Sequence, residues 1–147
     1  MKTRAMISFA VAALLAATVY AAEKADLKGI KCPVSGKPVG EDHSVAYKGA
    51  KVYFCCDNCP KAFEKDTAKF ATKANLQLVA TDQAEQVKCP LSGQDLNDDT
   101  AIDVGGVKVA FCCEKCQGKV AKATGDDKIA LVFSDAAFKK AFKVEKE

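Results

Sequence analysis

The sequence predicts an α+β protein of two small tandem units, each a cysteine-bearing turn, a β-hairpin and a helix. The first reason is a repeat. Displaced so that Cys32 falls on Cys89, the chain matches itself without a gap, and 13 of 33 positions are identical between residues 31–63 and 88–120. The second reason is the alternation of apolar and polar residues on both sides of a glycine turn in each copy, the period of a half-buried strand. The third is the cysteine pattern: Cys32, Cys55, Cys56 and Cys59 fall on Cys89, Cys112, Cys113 and Cys116, giving C-x22-C-C-x2-C twice. In so small a unit an apolar core alone is marginal and a metal or disulfide staple is expected. The eight cysteines are the candidates for it.

Residues 1–21 read as an export signal. Lys2 and Arg4 precede an apolar run from Ala5 to Val19, and Val19-Tyr20-Ala21 suits a signal peptidase cutting after Ala21. The run is shorter than the roughly 20 residues a spanning helix needs, so no membrane span is expected after signal removal. An exported protein, periplasmic or secreted, follows. Loss of Lys2 and Arg4 lowers the formal charge from +3 to about +1, and Arg4 is the sole arginine in a chain without tryptophan. That leaves no guanidinium fork for phosphates or base edges, which excludes nucleic acid as an expected partner. Met1 and Met6 leave with the signal, so thioether ligands leave too.

The first unit spans residues 22–81 and the second 82–147, joined by the polar stretch from Thr81 to Gln86. Each opens on Cys-Pro-x-Ser-Gly, in which proline fixes φ and glycine is free to take a positive one, so Cys32 and Cys89 belong in tight turns. The hairpins follow. Val45 and Tyr47 alternate into Lys48-Gly49, and Val52 and Phe54 alternate out; Ile102 and Val104 lead into Gly105-Gly106, and Val107, Val109 and Phe111 lead out. A helical stretch comes next, with Pro60 tolerated in its first turn and Phe63, Phe70 and alanines facing the hairpin. Its second copy is weakened by Gly118 and is expected to end near Gly125. A short apolar run, Lys128 to Phe133, then leads to a terminal helix starting at Ser134, with Phe138 and Phe142 on one face.

One cysteine on a turn before a hairpin, and three more where strand runs into helix, can bring thiolates to one point, as in zinc-ribbon and treble-clef sites. The free N–H groups of a helix start favour the anionic thiolate. Such a soft, anionic site suits zinc or cuprous copper, up to two ions per chain, or an iron–sulfur cluster. Adjacent side chains on a strand point to opposite faces, so Cys55 and Cys56 share an ion only where the strand has already turned.

The same residues carry a resemblance. Cys-Pro-Val-Ser-Gly at 32–36, the Tyr47-Lys48-Gly49 turn, Tyr53-Phe54-Cys55-Cys56 with Cys59, and Phe63 are similar to the YHS domain, a relative of the TRASH metal-binding domain, over roughly residues 30–70 and again 87–125. The resemblance implies heavy-metal binding, with Cys32, Cys55 and Cys59 as ligands in the first copy and Cys89, Cys112 and Cys116 in the second. Against that family pattern a thiol is missing at Ser35 and Ser92, and either Cys56 and Cys113 act as the fourth ligand in compensation or one cysteine of each adjacent pair is a bystander.

Other residues read more plainly. His43 stands between Asp42 and Ser44 with Thr100 as its counterpart, the setting of a loop residue. Glu41-Asp42 and Asp98-Asp99 lack the alternate spacing of a calcium loop. One histidine and no G-x-S-x-G offer no hydrolytic machinery, so no enzyme is expected. Three functions compete: an exported tandem metal binder in a scavenging, carrier or structural role, a disulfide-stabilised interaction module, and a thiol oxidoreductase using Cys56-x-x-Cys59 and Cys113-x-x-Cys116. So short a repeat leaves no room for a βαβ redox core around each C-x-x-C, and the metal binder is the expectation carried forward.

Overall fold

The computed structural model describes residues 26–145, so the export signal assigned to residues 1–21 lies outside the described residues. Each hairpin forms where alternation places it. Strands β1 (Ser44–Tyr47) and β2 (Ala50–Tyr53) pair with Val45 opposite Val52, and β4 (Asn97–Val104) and β5 (Val107–Phe111) pair with Ile102 opposite Val109. Both turns need two successive positive φ angles, the geometry that matches strand twist. Gly105 and Gly106 adopt it without strain at φ 68° and 92°, whereas the first hairpin places Lys48 at φ 54° beside Gly49 at 88°.

The stretch after the first cysteine pair is two helices, α1 (Asn58–Lys65) and α2 (Thr67–Ala80). Asp66 breaks them with φ −145° and ψ 68°, and its carboxylate accepts the Lys69 N–H as the cap of α2. The second copy repeats this arrangement as α3 (Glu114–Ala121) and α4 (Gly125–Phe133), followed by α5 (Asp135–Ala141). Two sequence expectations are corrected here. Gly125 opens a helix and does not close one, and the apolar run up to Phe133 is helical, with Ile129, Val132 and Phe133 on its inward side. Asp126 and Asp127 in its first turn favour the helix N-terminus. The terminal helix starts, as expected, just after Ser134, which is extended at ψ 153°, but it ends at Ala141, so Phe142, expected on its face beside Phe138, lies in the strand that follows.

The polar stretch between the copies is also more than a tether. Ala84–Gln86 forms β3, which pairs antiparallel with β6 (Phe142–Val144) at the C-terminal end of the described chain. Ala84 lies opposite Val144, and the repeat equivalents of these two residues are Ala141 and Val87, which are joined by a 2.7 Å bond from the Val87 N–H to the Ala141 carbonyl. The copies therefore close on each other about a local pseudo-two-fold axis. One buried cluster runs through both, from Val52, Phe54, Phe63 and Leu78 to Phe111, Val120, Val132 and Phe133. Among the described residues, no helix is long and apolar enough to cross a membrane.

Candidate metal centre

Each site starts from a knuckle. In the first copy the Gly36 N–H bonds the Cys32 carbonyl at 2.8 Å and the Cys32 N–H bonds the Lys37 carbonyl at 2.8 Å. In the second, Gly93 to Cys89 measures 2.8 Å and Cys89 to Gln94 measures 2.9 Å. Gly36 at φ 71° and Gly93 at φ 77° supply the left-handed residue that turns the chain back. The strand then brings the remaining thiols. The Phe54 N–H bonds the His43 carbonyl at 2.7 Å beyond the end of β2 at Tyr53, so the strand has finished before Cys55 and Cys56 and both can turn toward the start of α1. Cys59 and Cys116 sit in the first turns of α1 and α3.

The Sγ atoms of Cys32, Cys55 and Cys59 all lie within 4.8 Å of one another, as do those of Cys89, Cys112 and Cys116. Cys55 to Cys59 and Cys112 to Cys116 each measure 3.7 Å, Cys56 stands 3.8 Å from Cys55 and 3.5 Å from Cys59, and Cys113 stands 3.7 Å from Cys112. Thiolates at about 2.3 Å around a tetrahedral ion stand about 3.8 Å apart, so each triad has the spacing of three positions of such a shell, with Cys56 and Cys113 beside the triads and not within them. That spacing is far from the roughly 2.05 Å of a disulfide, and all eight thiols are free. Each cysteine triad can hold one metal ion.

Three groups around the thiols have roles that their sequence positions did not disclose. Ser35 and Ser92, read as missing thiols, place their hydroxyls 3.1 Å from Cys55 Sγ and Cys112 Sγ. Gln77 carries a buried amide that donates to the Lys31 and Tyr53 carbonyls at 3.1 and 2.9 Å and accepts the Tyr53 N–H at 2.6 Å, tying the knuckle strand to the hairpin. Its repeat counterpart is Ser134, where the helix breaks. Gln86 from β3 takes that part in the second copy, donating to the Lys88 and Ala110 carbonyls and accepting the Ala110 N–H. The side chain of His43 pairs through Nδ1 with Asp57 at 2.9 Å and not with the thiols.

The knuckles also select where charge resides. Burial pushes the Cys32 thiol up, but the Ser35 hydroxyl and the N–H groups of Ser35, Cys55 and Val34 outweigh it and leave the pKa at about 7. At Cys89 the same opposition, with the Ser92 hydroxyl and the N–H groups of Ser92, Cys112 and Leu91, leaves it at about 6. Burial and bonding from neighbouring thiols push Cys59 and Cys116 up to about 12. In the metal-free reduced protein, thiolate absorbance is expected to develop from about pH 6 upward, well below the ordinary thiol value of 9.0. Because both knuckle values are depressed, the stability they contribute is fully present above pH 9 and is lost as the pH falls through about 7 and then about 6. Cys59 and Cys116 act in the opposite sense, and only at and above the ordinary thiol range, whereas the N–H groups of Asn58 and Cys116 at the helix starts also lower Cys56 and Cys113, so the acid limb reports the knuckles together with these two thiols. A chelated sample with no thiolate absorbance below pH 8 contradicts this assignment.

Residues 30–74 match the family model for the YHS domain. The match ends within the first copy; the second rests on the repeat and on its own cysteine cluster. No curated protein and no solved structure matches the chain.

Proposed function

We propose that this chain is an exported, non-enzymatic carrier or scavenger of a soft metal ion, zinc or cuprous copper, with one ion at each cluster. The observation that carries the reading is the convergence of three Sγ atoms within 4.8 Å, twice, at equivalent positions of a repeat. The YHS match over residues 30–74 supports it. Cys32, Cys55 and Cys59 bind in the first site and Cys89, Cys112 and Cys116 in the second, with Cys56 and Cys113 next to them as the fourth thiolates. The ion is cargo, and no bond in it is made or broken beyond those to sulfur.

The test is metal analysis with free-thiol counting and intact mass on protein isolated from its own compartment without reductant. Up to two soft ions per chain, eight titratable thiols after chelation and a chain starting near Ala22 are expected. Metal-free protein with four disulfides supports the interaction module instead, and a retained export signal removes the exported role.

A further inference from the structure

We propose, resting on the metal-binding reading above, that the two clusters divide the work: the first retains its ion, and the second exchanges its ion with an external thiolate. The knuckles do not distinguish the sites, since Ser35 and Ser92 stand at the same 3.1 Å from their thiols. The cover does. At the first cluster, Cys59 is buried, and the half-buried Cys56 reaches both Cys55 and Cys59. Asp57, directly after it, is held by His43 at 2.9 Å. Phe63 clamps α1 on the hairpin, with ring centroids 5.3 Å from Tyr47 and 5.4 Å from Phe54.

Each of these supports is replaced at the second cluster. Cys113 is exposed and Cys116 only half-buried. Thr100 stands in the place of His43 and turns its hydroxyl inward to the Phe111 N–H and carbonyl, 2.9 and 2.7 Å away, so it cannot tie down the start of α3. Val120 stands in the place of Phe63 and Val104 in that of Tyr47, and Gly118 in α3 faces open space. A closed thiolate shell retains its ion, whereas a shell with one side open to solvent admits another ligand.

The step is a ligand exchange. As the ion arrives bound to a small thiol, a metal–sulfur bond to Cys113 or to a thiolate of the Cys89, Cys112 and Cys116 triad forms and one to the carrier sulfur breaks. The cysteine gives up its proton and the departing carrier thiolate takes one, and the oxidation state of the metal is unchanged. Release runs in reverse.

The experiment loads the mature chain with two equivalents of zinc and follows transfer to a colour-forming chelator, with and without added glutathione as the thiol. Two phases are expected, separated by about 10- to 100-fold, the range in which groups around a metal's ligands act. Glutathione should accelerate only the fast one. Cys89→Ser should remove the fast phase and Cys32→Ser the slow one. Cys113→Ser, which takes the exposed fourth thiolate from the second cluster, should quicken the fast phase alone, and Phe63→Val should quicken the slow phase. A single rate for both ions overturns the proposal, as does a fast phase that survives Cys89→Ser or ignores both glutathione and Cys113→Ser. A chain that retains no zinc overturns the metal-binding reading itself.

Discussion

Cys32→Ser in the zinc-loaded protein abolishes binding at the first cluster and lowers stability by several kcal/mol, while the same substitution in chelated protein changes it by only about 1 kcal/mol. The asymmetry follows from where the energy resides. A structural zinc site in a small domain contributes about 10–16 kcal/mol at neutral pH, because the unfolded chain has no preformed site. A hydroxyl in place of a buried thiol, in a knuckle that already donates hydrogen bonds to that position, costs far less. Cys32 is the most informative choice: it is 1% exposed and its carbonyl and N–H hold the turn, so the backbone persists without the sulfur. Cys55→Ser is expected to behave like Cys32→Ser, and Cys56→Ser to weaken binding without abolishing it. Thermal unfolding with and without chelator, alongside zinc titration against a competing chelator, reads both quantities. Identical melting of loaded and chelated protein removes the metal from the folding account. Abolition by Cys56→Ser with Cys55→Ser intact moves the site onto a C-x2-C knuckle.

The legible parts of the sequence were those in which local chemistry decides. A turn with two positive φ angles accepts little besides glycine and its neighbours, so Lys48-Gly49 and Gly105-Gly106 marked both hairpins, and alternation fixed which side chains face inward. Spacing brought a cysteine triad together in each copy because knuckle, hairpin and helix start are each short. The helix α4 was missed for a physical reason: Ile129 to Phe133 is a continuous apolar run, and such a run conceals the helical period behind residues that are apolar on every side. The β3–β6 pairing was illegible because Ala84-Glu85-Gln86 is polar and short, and its partner lies at the far end of the second copy. Gln77 and Gln86 were invisible as site residues for a related reason. A glutamine on an inward position is recognised only once the carbonyls it satisfies, those of Lys31, Tyr53, Lys88 and Ala110, are brought around it.

Phe133→Ala is expected to destabilise the whole protein by about 3–5 kcal/mol, the cost of removing a fully buried phenylalanine from a core that cannot close around the gap. For a domain of this size that is a fall of roughly 10–20 °C in the melting temperature. The residue is 0% exposed and sits where the copies meet. Its ring lies 5.4 Å from that of Phe142, which stacks on Phe138 at 5.2 Å, and its carbonyl accepts the buried Asn75 side-chain amide at 2.9 Å. The loss should therefore be felt across both copies. Amide hydrogen exchange should accelerate in β2 as well as β5, because α2, which carries Asn75 and Leu78, packs on α4 from one side and on β2 from the other. Asp135→Asn is the control. Its carboxylate meets the Lys48 ammonium at 2.6 Å and is half exposed, and an asparagine oxygen can still accept from the Asn75 amide and the Tyr47 hydroxyl that bond it, so losing the charge should cost about 1 kcal/mol. If Phe133→Ala loosens β5 while β2 keeps its original protection, the two copies do not share one cooperative core, and the pseudo-two-fold closure through β3 and β6 is only a surface contact.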